Sequence, residues 1–187
     1  MLAPGVIVRL TALGVVAVIV QITAVSQITL LGTSADLTPL VVVSVGLLCG
    51  SVAGAGMGFG MGLLVDVALL QTLGISSLLF TIIGYAAGRL REARDPAHGL
   101  IPLAVGAAGT ALAAVGYGMI QFLLGVEAPV SLLLLREILA TVAVNTLLAL
   151  PVYALVRRLV GPALPQDPRR RRGRQASTTR LSPFTRA

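Results

Sequence analysis

The sequence predicts an all-α integral membrane protein, a compact bundle of about six transmembrane helices. Three observations predict it. Of 187 residues, 56% are hydrophobic and only 11% charged, whereas a soluble domain carries about 25% charged residues. The mean hydropathy of +0.96 leaves too few polar groups to cover a water-facing surface. The apolar runs, such as residues 10–20 and 37–43, are also continuous. The strands of a membrane barrel would instead alternate apolar and polar residues. In lipid every backbone polar group must be paired internally, so continuous runs point to helices.

Residues 10–35 carry no charge. Ala24, Val25 and Ser26 would suit a signal-peptide cleavage site, but the run exceeds the roughly 7–15 residues of a signal core, so it reads as a first membrane helix. Residues 37–65 form a second uncharged run with glycine at 46, 50, 54, 56, 58, 60 and 62. As one helix it would be about 43 Å long against a hydrocarbon core of about 30 Å. Two short helices turning near residues 50–54 fit better. A further helix starts around Gly74 and runs to Gly88, followed by the polar loop of Arg89, Arg91, Glu92, Arg94, Asp95, Pro96 and His98. Helices over 100–124 and about 130–160 complete the set. Residues 1–160 are thus expected to form the membrane domain. Residues 161–187, rich in Pro, Arg, Ser and Thr with nothing to bury, read as a disordered cytoplasmic tail.

All fourteen basic residues are arginine, and seven lie beyond residue 165. Since Asp167 is the tail's one acid, the tail carries +6 of the net +7, which excludes a folded basic patch and gives no support to nucleic-acid binding. The 89–94 loop and the tail are separated by two helices and share one side. The positive-inside rule makes that side cytoplasmic, and with six helices Arg9 joins it. Arg169, Arg170, Arg171, Arg172 and Arg174 would then touch anionic lipid.

No residue set supports catalysis, a metal or a cofactor. His98 has no neighbouring nucleophile and no second ligand histidine. A chain without lysine has no phosphate-binding G-x-x-x-x-G-K-[ST] loop. Cys49, the only cysteine, reads as a small buried hydrophobe. The glycines at 46, 50, 54, 58 and 62 put a side-chain-free groove on a helix face, suited to internal packing or to a partner helix. Asp66, costly at the end of an apolar span, is expected either to pair with Arg136 or to reach the headgroup layer as Arg136 does. Gln121, Thr141 and Asn145 read as interhelical glue.

Ser34-Ala35-Asp36-Leu37 is followed by Gly-Met-Gly-Phe-Gly-Met-Gly-Leu-Leu-Val-Asp (56–66), Leu73-Gly74 and Gly84-Tyr85-Ala86-Ala87-Gly88-Arg89. This order resembles the rod shape-determining protein MreD family, in which P-D-L, G-F-x-x-G-L-x-x-D and G-Y-x-x-G elements recur. Ala35 stands where proline is common, and residues 5–160 carry the resemblance. It implies a non-catalytic component of the bacterial cell-wall elongation machinery in the inner membrane, in contact with an MreC-like protein. With Gly54 of the glycine stripe, the residues expected at a partner or packing interface are Gly58, Phe59, Gly62, Asp66, Gly84, Tyr85 and Gly88. The family is also similar in helix number and compactness to the substrate-binding membrane subunits of energy-coupling-factor vitamin transporters. On that alternative Asp36, Gln27, Arg136 and Glu137 would line an outward pocket, although a small-molecule ligand is not the favoured expectation.

Overall fold

The computed structural model describes residues 4–25, 29–30, 33–34, 36–93, 101–125 and 132–161. The arginines at 169–174, His98, Glu127 and Gln27 lie outside them, as does the side chain of Glu137. Six α-helices follow in order: α1 (Pro4–Val20), α2 (Leu37–Cys49), α3 (Ser51–Ala68), α4 (Ile75–Ala93), α5 (Ile101–Leu123) and α6 (Leu132–Val160). A π-helical turn, Gln21–Val25, extends α1. Two short antiparallel strands, β1 (Thr29–Leu30) and β2 (Thr33–Ser34), precede α2. The hydropathy of that stretch contains no sign of this hairpin.

Four of the helices are long and apolar enough to cross a membrane, with α2 a shorter apolar helix. The chain therefore has the architecture of a multi-pass membrane protein. Helix starts follow simple chemistry. Pro4 and Pro102 sit in first turns, where a missing N–H costs nothing. The Asp36 carboxylate accepts the Thr38 N–H as the N-cap of α2.

The long apolar run breaks at Gly50, which ends α2 and opens α3 at φ 97°. Only glycine enters that region without strain. The chain reverses so tightly that Gly46 and Gly54 face each other across the turn. Gly50 offers no side chain to cap α3. The cap comes instead from α4: Glu92 Oε1 accepts from Ser51 N at 3.0 Å and from Ser51 Oγ at 2.7 Å. A carboxylate at a helix N-terminus also meets the positive end of the helix dipole.

α2 is the central helix. Its residues from Thr38 to Leu47 are all buried, and α1, α3, α4, α5 and α6 all pack against it. A helix apolar on every side belongs inside a bundle. Gln21 Oε1 accepts from Leu37 N, and Ser51 meets Glu92. The helices thus alternate in direction. Asp36 lies level with Asn145, midway along α6, while Gly50 and Ser51 meet Glu92 at the opposite end of α2.

Candidate interaction site

Among the described residues the α3–α4 pair forms the most extensive helix contact. A Cβ at Gly58 would overlap the carbonyl of Phe80, one at Gly62 the backbone of Ser77, and one at Gly54 the carbonyl of Gly84. Reciprocally, a Cβ at Gly84 would strike Gly54, and one at Gly88 would strike Ser51. Backbone meets backbone along the whole length, in an antiparallel register pairing 54 with 84 and 58 with 80. These five glycines are therefore spent on contacts within the chain. Phe59 and Tyr85, singled out with them, are exposed.

The four-residue glycine spacing winds around α3, since each step overshoots a turn by about 40°. The intervening glycines, 56 and 60, are two positions off that stripe, about 200° around the helix, and face elsewhere. A Cβ at either would meet nothing within 4 Å. They lie on the outer stripe of α3 with exposed Val52, Phe59, Leu63 and Val67. This second, open glycine face is one that sequence reasoning passed over, although its signal was present in the two-residue alternation of 54, 56, 58, 60 and 62.

Asp66 is fully buried. Its Oδ2 accepts from Gly74 N at 2.7 Å and its backbone carbonyl from Gln71 N at 3.0 Å. Oδ1 has no partner among the described residues. Arg136 is exposed, and the ion pair among the described residues is Arg89–Glu92 at 3.3 Å. The expected Asp66–Arg136 pair is thus not formed. Asp66 faces its own turn, because the helix ends two residues later and the returning chain presents N–H groups at hydrogen-bond distance.

Asn145 of α6 is fully buried and holds both sides of one peptide residue. It accepts from Asp36 N at 3.0 Å and donates to Asp36 O at 2.8 Å, with a further bond to Thr110 Oγ1 of α5 at 3.2 Å. A side-chain amide matches a peptide in this donor–acceptor pattern. Gln121 behaves differently: its Nε2 donates to Tyr117 OH one turn back in the same helix, so this bond does not join two helices.

Beside the Asn145–Asp36 junction lies a cavity of about 250 Å³, lined by polar Gln21, Asp36, Thr38, Gln71, Ser76, Thr110, Tyr117 and Thr141 together with apolar side chains. Asp36 lines it as anticipated, whereas Arg136 does not. Its lining contains no nucleophile–base pair, and among the described residues no group of three potential metal ligands occurs. The arrangement can hold helices in register and present faces to neighbours.

Comparison with known proteins yields no match among curated sequences and none among solved structures. The family model for rod shape-determining protein MreD matches residues 3–159, which spans all six helices. The central glycine pairing and the Asp66 turn fall on the elements that carried the resemblance, and the chain belongs to the MreD family.

Proposed function

We propose that this chain is a component of the bacterial cell-wall elongation machinery that works by docking partner membrane proteins such as MreC, with both termini on the cytoplasmic side of the inner membrane. MreD-family proteins are non-catalytic, and binding is the work left to such a chain. The observation that carries the reading is the open face of α3, where Gly56 and Gly60 stand uncovered beside Phe59. In lipid no hydrophobic force drives helices together, so close backbone approach at small residues is the main source of association. The chain has already used that device once, internally, at Gly54, Gly58 and Gly62.

The test is capture from solubilised native membranes with a tag on the tail. Gly60→Leu is expected to leave the thermal midpoint of the purified protein unchanged or slightly raised while losing MreC and the wall polymerase from the captured set. Undiminished capture by Gly60→Leu and by Gly56→Leu would remove this face from the partner interface.

A second reading has one observation in its favour. The polar cavity beside Asp36 is what a small-molecule binder related to vitamin-transporter subunits would need. A vitamin panel that raises the thermal midpoint in detergent would support it, since a ligand bound only to the folded state stabilises by mass action. Recovery of a coupling subunit and ATPases in the same capture would support it as well.

A further inference from the structure

The cavity beside the Asn145–Asp36 junction carries charge of one sign. Asp36 is the carboxyl group of its lining, and neither arginine nor histidine lines it. The Asp36 carboxylate takes the Thr38 N–H at 3.1 Å. Among the described residues the ion pair is Arg89–Glu92, so Asp36 has no counter-ion there. A second carboxyl group, that of Asp66, is fully buried between the lining residues Val65 and Leu69. Its Oδ1 also lacks a partner among the described residues. The surroundings of the cavity are thus short of donors and of positive charge, and not of acceptors.

Depth makes that imbalance consequential. The Asp36 backbone is bonded on both sides to Asn145, midway along the 29 residues of α6. An acidic group at such a level of a membrane bundle is costly unless partnered. The attraction for a cation also grows as the effective dielectric constant falls from about 80 in water to about 20 or less. The rest of the wall suits an organic cation. Hydroxyls of Thr38 and Ser76 and the amide of Gln71 can accept N–H donors. Two aromatic residues, Phe80 and Tyr117, line it as well, and aromatic faces attract ammonium groups. At about 250 Å³ the cavity holds far more than one water, whose share of liquid is about 30 Å³. It is smaller than the roughly 300–1,000 Å³ of sites for drug-sized ligands.

We propose that this cavity binds a primary ammonium group, carried by a small free amine or by the ethanolamine headgroup of a phospholipid, with Asp36 as its counter-ion. The inference rests on the second reading of the cavity as a ligand site, gives that ligand its charge, and requires no transporter subunit.

The test is the thermal midpoint of the purified full chain in detergent. Ethanolamine hydrochloride is compared with sodium chloride at equal concentration, and added phosphatidylethanolamine with added phosphatidylglycerol. Asp36→Asn removes the charge and keeps the fold's bonds, because asparagine caps a helix as well as aspartate and Asn145 holds only backbone atoms of residue 36. The midpoint of the parent is expected to rise by several degrees with an amine source, and the rise to be lost in Asp36→Asn and reduced in Tyr117→Leu. A rise with ethanolamine identifies a free amine as sufficient; a rise with phosphatidylethanolamine alone identifies the headgroup. Equal rises in the parent and Asp36→Asn, an equal effect of sodium chloride, or no rise with either amine source would overturn the proposal. Stabilisation by neutral or anionic vitamins without any by amines would overturn it too, while leaving the second reading in place.

Discussion

Asn145 and Asp66 illustrate how buried polar side chains hold the backbone of this molecule. Asn145 joins α6, α5 and the entry to α2 through three bonds. Asn145→Ala leaves Asp36 N, Asp36 O and Thr110 short of partners, and a buried unsatisfied group costs about 1–3 kcal/mol. Interhelical bonds in membranes average nearer 0.6 kcal/mol, so a loss of about 1–3 kcal/mol in unfolding measured in detergent is expected. Asp66 separates charge from acceptor. Asp66→Asn keeps an oxygen for Gly74 N–H and is expected to cost less than Asp66→Leu, which removes it and should cost about 2 kcal/mol. Equal losses would mean that the charge itself matters. At Leu70 the expected sign is opposite. Leu70→Gly relieves a left-handed conformation, φ 51°, costing about 1 kcal/mol or more, so the midpoint in detergent should rise.

At the scale of the element, α3 carries two glycine faces with different fates. Gly58→Leu must push a side chain into the Phe80 carbonyl, and neither backbone can retreat without opening the whole α3–α4 seam. Destabilisation above about 4 kcal/mol, or loss of folded protein, is expected. Gly60→Leu meets open space and should be nearly neutral for the isolated chain, or slightly stabilising, because glycine is a poor helix former. The N-terminus of α3 gives a pH prediction. The Ser51 backbone N–H and hydroxyl, which donate to Glu92 at the polar end of α4, hold its carboxyl below the usual glutamate range. A depressed folded pKa stabilises above the unfolded value, about 4.3, and that contribution disappears as pH falls through the folded pKa. The thermal midpoint should therefore drop more steeply on acidification in the parent than in Glu92→Gln.

For the whole molecule, the polar bonds sit in layers. One layer, Glu92 with Ser51, closes the Gly50 end. Another, Asn145 with Asp36 and Thr110, closes the cavity end. Between them α2 is wrapped by apolar side chains, and the outside is left to Val52, Phe59, Leu147 and similar exposed residues. Such a body offers partners two kinds of surface, apolar helix faces and the recessed cavity. Partner loss in Gly60→Leu without a change in folding would separate surface function from scaffold stability.

Much of this was legible in the residues themselves. Apolar run lengths alone placed the helices, because a bilayer admits only internally bonded backbone and sets the span. The break near Gly50 followed from a run too long for one crossing. The family emerged from spaced glycines and one aspartate, since backbone contact demands glycine at fixed intervals. What the one-dimensional pattern could not decide was direction: which glycine face turns inward, whether Asp66 looks toward Arg136 or its own turn, and which mid-span amide bridges helices. Those depend on the rotation of each helix about its axis, and that rotation is set by packing against neighbours far away in sequence. Asn145 reaches Asp36 across 109 residues and Glu92 caps α3 from 41 residues on, so only the tertiary structure could make these assignments.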